Sequence, residues 1–217
     1  MDNLIYVLFI CVAAPMLIMT ALLKKSSRAL VGYMLIGFFV SLVISEVNEL
    51  LVPLFDNDVY YITTVISPIT EEIIKALPVL VYAIFISDKR EKVIPLAFAT
   101  GLGFAMFENI VVFVQNLDTV SIDWAIIRGF STALMHGVCT GLVGIGMCYI
   151  RNRKKLFFSG TFALLVLAVI YHGIFNMLAQ SDYKYFGFIL PVVTFIPILL
   201  KQYRAIFNIK HKNSSSD

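Results

Sequence analysis

The chain is a succession of long apolar stretches separated by short polar loops. A bilayer core about 30 Å thick takes about 20 apolar residues as helix. Seven stretches reach or approach that length, roughly 4–23, 30–52, 60–86, 93–116, 124–150, 156–179 and 185–201. The last is the shortest and carries Pro191 and Pro197. The pattern predicts an all-α fold, a polytopic membrane helix bundle of about seven transmembrane helices. Residues 1–203 read as one transmembrane helical domain, and 204–217 as a polar cytoplasmic tail. With every loop short, any chemistry or binding is expected within the bundle.

Composition agrees with the pattern. Of 217 residues, 59% are hydrophobic and 14% charged, too few polar groups for an ordinary soluble surface. Charge position is more telling than the net +3. Lys24, Lys25 and Arg28 follow the first stretch, and Lys89, Arg90 and Lys92 the third. Arg151, Arg153, Lys154 and Lys155 follow the fifth, and Lys201, Arg204, Lys210 and Lys212 the seventh. These loops hold 14 of the 17 basic residues, which by the positive-inside rule places the N-terminus outside and the C-terminus inside. The opposite loops hold Lys184 alone; Arg128, about a turn inside the fifth stretch, is expected to snorkel to that surface. Met1 to Asn3 lacks a basic leader, so the first stretch is expected to be a retained span. Cys11, Cys139 and Cys148 lie in apolar stretches without metal-type spacing and are expected to be packing residues.

Against this background a few polar residues stand out. "ITEEIIKALP" puts Glu71, Glu72 and Lys75 inside the third stretch. "GFAMFENIV" puts Glu108 and Asn109 in the fourth, "ALMHGVCTG" His136 in the fifth, and "YHGIFNM" His172 and Asn176 in the sixth. An ionisable group at mid-membrane costs about 2.5–3.5 kcal/mol on insertion scales, so several are tolerable only if they meet. Counted from the outer ends, Glu71, Glu108, His136 and His172 all lie roughly 10–18 Å deep, at about 1.5 Å per residue. Lys75 is one turn from both Glu71 and Glu72 and can offset a carboxylate within its own helix. Pro68 and Pro78 flank the pair and are expected to free backbone carbonyls. Gly101, Gly103, Gly137, Gly141, Gly144 and Gly173 are expected to allow close helix approach. Glu46, Asn48 and Glu49 read as interfacial.

Carboxylate, imidazole and amide groups in a dry cavity can activate a water and stabilise an oxyanion. Cys139 stands three residues from His136, so a Cys–His dyad is a weaker alternative. There is no HExxH, although His136, His172 and a glutamate could hold zinc without it.

"EEIIK", "GFAMFEN", "MHGVCTG" and "HGIFN", in that order on successive spans, resemble the PrsW family of bacterial membrane proteases. They are similar more broadly to the glutamic-type intramembrane proteases, which include CAAX prenyl endopeptidases and Abi bacteriocin-processing proteins. The matching core runs about 65–178. The resemblance implies an endopeptidase of the bacterial plasma membrane with no metal cofactor, zinc being the runner-up. Its implied substrate is a membrane-anchored protein, namely an anti-sigma factor at its first cleavage in envelope-stress signalling. It makes Glu71 the water-activating base with Glu72 beside it, and His172 and Asn176 the oxyanion pocket, with Asn109 a further positioning residue. CAAX-type relatives have histidine where this chain has Glu108, so either Glu108 or His136 is expected as the partner of Glu71. A zinc protease with the same residues, and a proton-coupled transporter relaying through the Glu–His set, are the rival readings.

Overall fold

The computed structural model describes residues 8, 12–14, 16–18, 20, 22–118, 121–197 and 200. Helix α1 spans Lys25–Leu51, α2 Ser67–Phe85, α3 Arg90–Gln115, α4 Ile122–Met147 and α5 Lys154–Ala179. A shorter apolar helix, α6, follows at Lys184–Pro197. No strand occurs among the described residues. Most of the stretch 4–23 and all of the tail 204–217 lie outside them.

Among the described residues, four helices are long and apolar enough to cross a membrane unaided. They are α1 with its short extension, α3, α4 and α5. The 19 residues of α2 would cover about 28 Å, but they carry Glu71, Glu72 and Lys75. Helix α6 is short for a full crossing. Large apolar side chains point outward around the bundle, among them Leu77, Phe85, Phe130, Phe158 and Phe162. Such a continuous apolar exterior matches lipid rather than water.

Helix α3 packs most extensively against α4 and α1, and α4 next against α5. Close approach at the α3–α4 contact depends on Gly101, where a Cβ would run into the backbone carbonyl of His136. Helix α2 touches α1, α3, α4 and α5, which makes it the element shared by the whole bundle. Its inner face, Glu71, Glu72, Lys75, Ala76, Val79 and Ala83, is buried. Below the polar layer, Val79 and Ala83 join Val93, Ala97, Met135, Cys139 and Val143 in the main apolar core.

The third apolar stretch is not one continuous helix. After α1 the chain makes a 3₁₀ turn at Val52–Phe55, then turns back through Asp56 and Asn57, with φ of 53° and 57°. Asp and Asn are the non-glycine residues that tolerate this left-handed region best. A single helical turn, Val59–Tyr61, leads into a π segment, Ile62–Ile66, immediately ahead of α2. The cause lies in Pro68, whose ring cannot accept the carbonyl of the residue four before it and offers no N–H. Widening to i→i+5 spacing relieves that clash and leaves carbonyls to be satisfied elsewhere. Asn176 Nδ2 on α5 donates to the Thr63 carbonyl at 2.8 Å, and Gln180 bonds the Thr63 hydroxyl at 3.1 Å. Gly173, one turn earlier on α5, lets the Thr64 carbonyl approach.

The start of α2, and with it the register of Glu71 and Glu72, is therefore clamped to α5 by an amide. Asn176→Ala should leave the Thr63 carbonyl unpaired and cost about 1–3 kcal/mol of stability. Thermal unfolding of the purified protein in detergent measures this, and Asn176→Asp, which keeps the size but loses the donor, should behave alike.

Candidate functional site

The polar residues of the four middle helices converge on one buried cluster. Lys75 stands at its centre with a side chain fully removed from solvent. Its ammonium donates to Glu72 Oε1 at 2.6 Å and to His136 Nδ1 at 2.8 Å, and lies 3.9 Å from Glu71 Oε2. The Phe104 ring closes it off, with its centroid 4.4 Å from Nζ. Sequence spacing foresaw the pairing of Lys75 with the glutamates but not its reach to α4.

Each imidazole has a carboxylate behind it. His136 Nε2 meets Glu108 Oε2 at 2.6 Å, and His172 Nδ1 meets Glu72 Oε1 at 3.0 Å. These partners fix both tautomers. An ammonium can only donate, so His136 Nδ1 accepts from Lys75 and Nε2–H donates to Glu108. The Glu72 carboxylate accepts from His172 Nδ1–H, which leaves the Nε2 lone pair facing inward. The two rings stand edge to face, 4.8 Å between centroids.

Glu71 Oε2 lies 3.7 Å from His172 Nε2 and 4.0 Å from His136 Nδ1. That oxygen is buried and accepts no hydrogen bond among the described residues. Two acceptors, Glu71 Oε2 and His172 Nε2, thus face each other across a short gap. A group that fits there must donate to both or be a cation. Glu71, His136 and His172 each offer one atom, all within 4.8 Å of one another. One water can donate to both Glu71 Oε2 and His172 Nε2 at ordinary lengths of about 2.7–3.2 Å, His136 Nδ1 being taken by Lys75. The same donor set, two imidazoles and a carboxylate, also suits a divalent transition metal, and carboxylates behind the ligating rings are typical of such sites. The Lys75–His136 bond would have to open for a metal to use Nδ1.

Glu108 is the one site carboxylate with appreciable exposure, 28% of its side chain, and its Oε1 accepts from Arg128 at 3.2 Å. Arg128 was expected to snorkel to the surface; it turns inward instead, because Glu108 lies within reach on α3 and Trp124 packs 5.7 Å from its guanidinium. The sequence hint was available, since a lone arginine a turn inside a span sits at the depth of Glu108. Four other residues are placed as follows. Asn176 spends its amide on the Thr63 carbonyl rather than on the Glu71–His172 gap. Asn109 is buried next to Glu108 in sequence, with Oδ1 unpaired among the described residues. Asn48, read as interfacial, bonds Ser67 at 2.8 Å and Thr70 at 3.0 Å and so ties α1 to α2 just ahead of Glu71. Cys139 donates to the Ala168 carbonyl at 3.6 Å and makes no bond to His136.

The family model described as "PrsW family intramembrane metalloprotease" matches residues 25–201, which include every residue of this cluster. The chain is 24% identical to "Protease PrsW" of Clostridioides difficile (strain 630), over 89% of this chain and 87% of that protein. No solved structure matches. An all-helical membrane bundle with this buried carboxylate–imidazole cluster and this match belongs to the PrsW family of intramembrane proteases, and its activity is peptide hydrolysis.

Proposed function

We propose that this protease cuts membrane-anchored proteins with a water activated by Glu71. In this reading the substrate is an anti-sigma factor at its first cleavage, and the enzyme resides in a bacterial plasma membrane. The observation that carries the mechanism is the pair of facing acceptors, Glu71 Oε2 and His172 Nε2, 3.7 Å apart. Water has two O–H donors, one for each, and in that pose its lone pair is left to attack a carbonyl.

The chemistry then follows from the residues in place. The water oxygen bonds to the scissile carbonyl carbon while Glu71 takes its proton. Negative charge develops on the carbonyl oxygen. Lys75, with two of its three N–H groups used on Glu72 and His136, is the nearest ammonium to that gap. Glu71 then returns the proton to the amide nitrogen as the C–N bond breaks. Glu72 holds His172 in its Nδ1–H tautomer, and Glu108 holds His136 in its Nε2–H tautomer. Asn176 acts at a distance by fixing the start of α2, in place of the oxyanion role expected from its position one turn after His172.

A second reading has a specific observation behind it. The donor set of Glu71, His136 and His172 fits a metal ion, and the family's description names a metalloprotease. Those three residues would hold the ion, with Glu72 and Glu108 orienting the imidazoles. A bound ion would acidify a water and polarise the carbonyl.

Glu71→Gln should lower the cleavage rate by about 10²–10⁴-fold while the protein still inserts and purifies. Comparing membrane-protein termini in cells carrying wild type or Glu71→Gln measures this and identifies the substrate; unchanged termini would remove the mechanism. Purified protein treated with a chelator should keep its activity and hold no stoichiometric metal by elemental analysis. One metal per chain, lost in both His136→Ala and His172→Ala, would select the second reading.

A further inference from the structure

At the end of the bundle opposite its basic loops lies a cavity of about 430 Å³. Pockets of about 300–1,000 Å³ commonly hold ligands. Its walls come from the end of α3, the start of α4 and the start of α6: Asn116, Ser121, Asp123, Trp124, Lys184 and Tyr185 among them. The lining mixes amide, hydroxyl, one acid, one base and aromatic faces, which is the chemistry that takes up polar peptide rather than lipid. Lys184 is the one basic residue in the loops of this end, against the charge trend of the whole chain.

The cavity is joined to the catalytic cluster. Trp124 forms its wall and packs 5.7 Å from the Arg128 guanidinium. Arg128 holds Glu108, and Glu108 holds His136. Glu108 is the most exposed carboxylate of the cluster, and it connects to the cavity wall through Arg128 and Trp124. Arg128 Nε, shut off from solvent, has no partner among the described residues and is a spare donor on that approach.

Resting on the peptidase reading above, we propose that this cavity is the subsite for the polar segment of the substrate just outside its membrane span, with Asp123 and Lys184 selecting the charges it accepts. Geometry sets the spacing. From Trp124 or Ile127 to His136 along α4 is about 14–18 Å at about 1.5 Å per residue. An extended chain covers that in about four to six residues at about 3.3 Å each. The charges that decide recognition therefore lie about four to six residues outward of the scissile bond, and the cut falls inside the membrane layer rather than at its surface.

The test uses the full chain and a single-span reporter carrying one acid and one base at those outward positions. Asp123→Lys and Lys184→Glu should each raise KM about fivefold, the scale of one partly exposed ion pair, with kcat moving less than twofold. The double reversal should prefer a reporter whose two charges are exchanged. Unchanged KM with no exchange of preference would overturn the subsite. A second arm reads binding alone: a photoreactive residue replacing Tyr185 in the Glu71→Gln background should crosslink to the reporter four to six residues outward of its membrane-buried cut. Crosslinks confined to the span, or none, would overturn the proposal. Crosslinking at the outer segment with no cleavage by the wild type would retain the subsite and remove the peptidase reading.

Discussion

The interaction on which the rest of this molecule depends is the ion pair between Lys75 and Glu72, 2.6 Å apart with both side chains fully buried. Removing one member of such a pair leaves an uncompensated charge in an apolar interior, at a cost of about 3–5 kcal/mol. Lys75 offsets Glu72 within one helical turn, then gives a further proton donor to His136 on α4. Glu72 in turn accepts from His172 on α5. One pair on α2 thereby joins three helices, and a fourth, α3, enters through Glu108 and the Phe104 ring. Glu71 Oε2 and Glu72 Oε2 are both left without a hydrogen bond among the described residues, and it is Glu71 Oε2 that lies near both imidazoles, 4.0 Å from His136 and 3.7 Å from His172.

That division of labour explains why two adjacent glutamates occur where one would be cheaper. Glu72 is structural and electrostatic: it neutralises Lys75 and fixes a tautomer. Glu71, one residue and about 100° around the helix, is turned toward the two imidazoles. The arrangement around the gap is preorganised, because each ring has its outer nitrogen held by a carboxylate and each carboxylate is itself held by a cation. Arg128 does for Glu108 what Lys75 does for Glu72. The π segment and the Asn176 clamp set where α2 begins, so they set the angle at which both glutamates enter the cluster.

Much of this was legible in the residues. Apolar stretch length gave α1 and α3 to α6 to within about five residues, since lipid leaves no alternative to helix for an exposed backbone, but not the break ahead of α2. Depth counting put Glu71, Glu108, His136 and His172 in one layer, and the structure brings them together. Pairing was not legible, because sequence gives depth and face but not which helices are neighbours. Of the two candidates beside Glu71, His136 lies between it and Glu108, with Nδ1 4.0 Å from Glu71 Oε2 and Nε2 2.6 Å from Glu108 Oε2. Asn176 shares a face with His172 at four-residue spacing, yet its amide is committed to a carbonyl freed by a proline on another helix. Arg128 was misplaced because a surface cation and a buried one look alike until the partner across the helix contact is known. The cavity at the far end, built where the α3–α4 turn meets the start of α6 about sixty residues later, left no mark beyond the oddly placed Lys184.

The most direct measurement is a double-mutant cycle on Glu72 and Lys75, read as unfolding free energy of the purified protein in detergent. Glu72→Gln and Lys75→Met should each destabilise strongly, by about 3–5 kcal/mol, and the double variant by clearly less than their sum. Effects that add to within about 0.5 kcal/mol would mean the two residues act independently, and would contradict a site organised around their pairing.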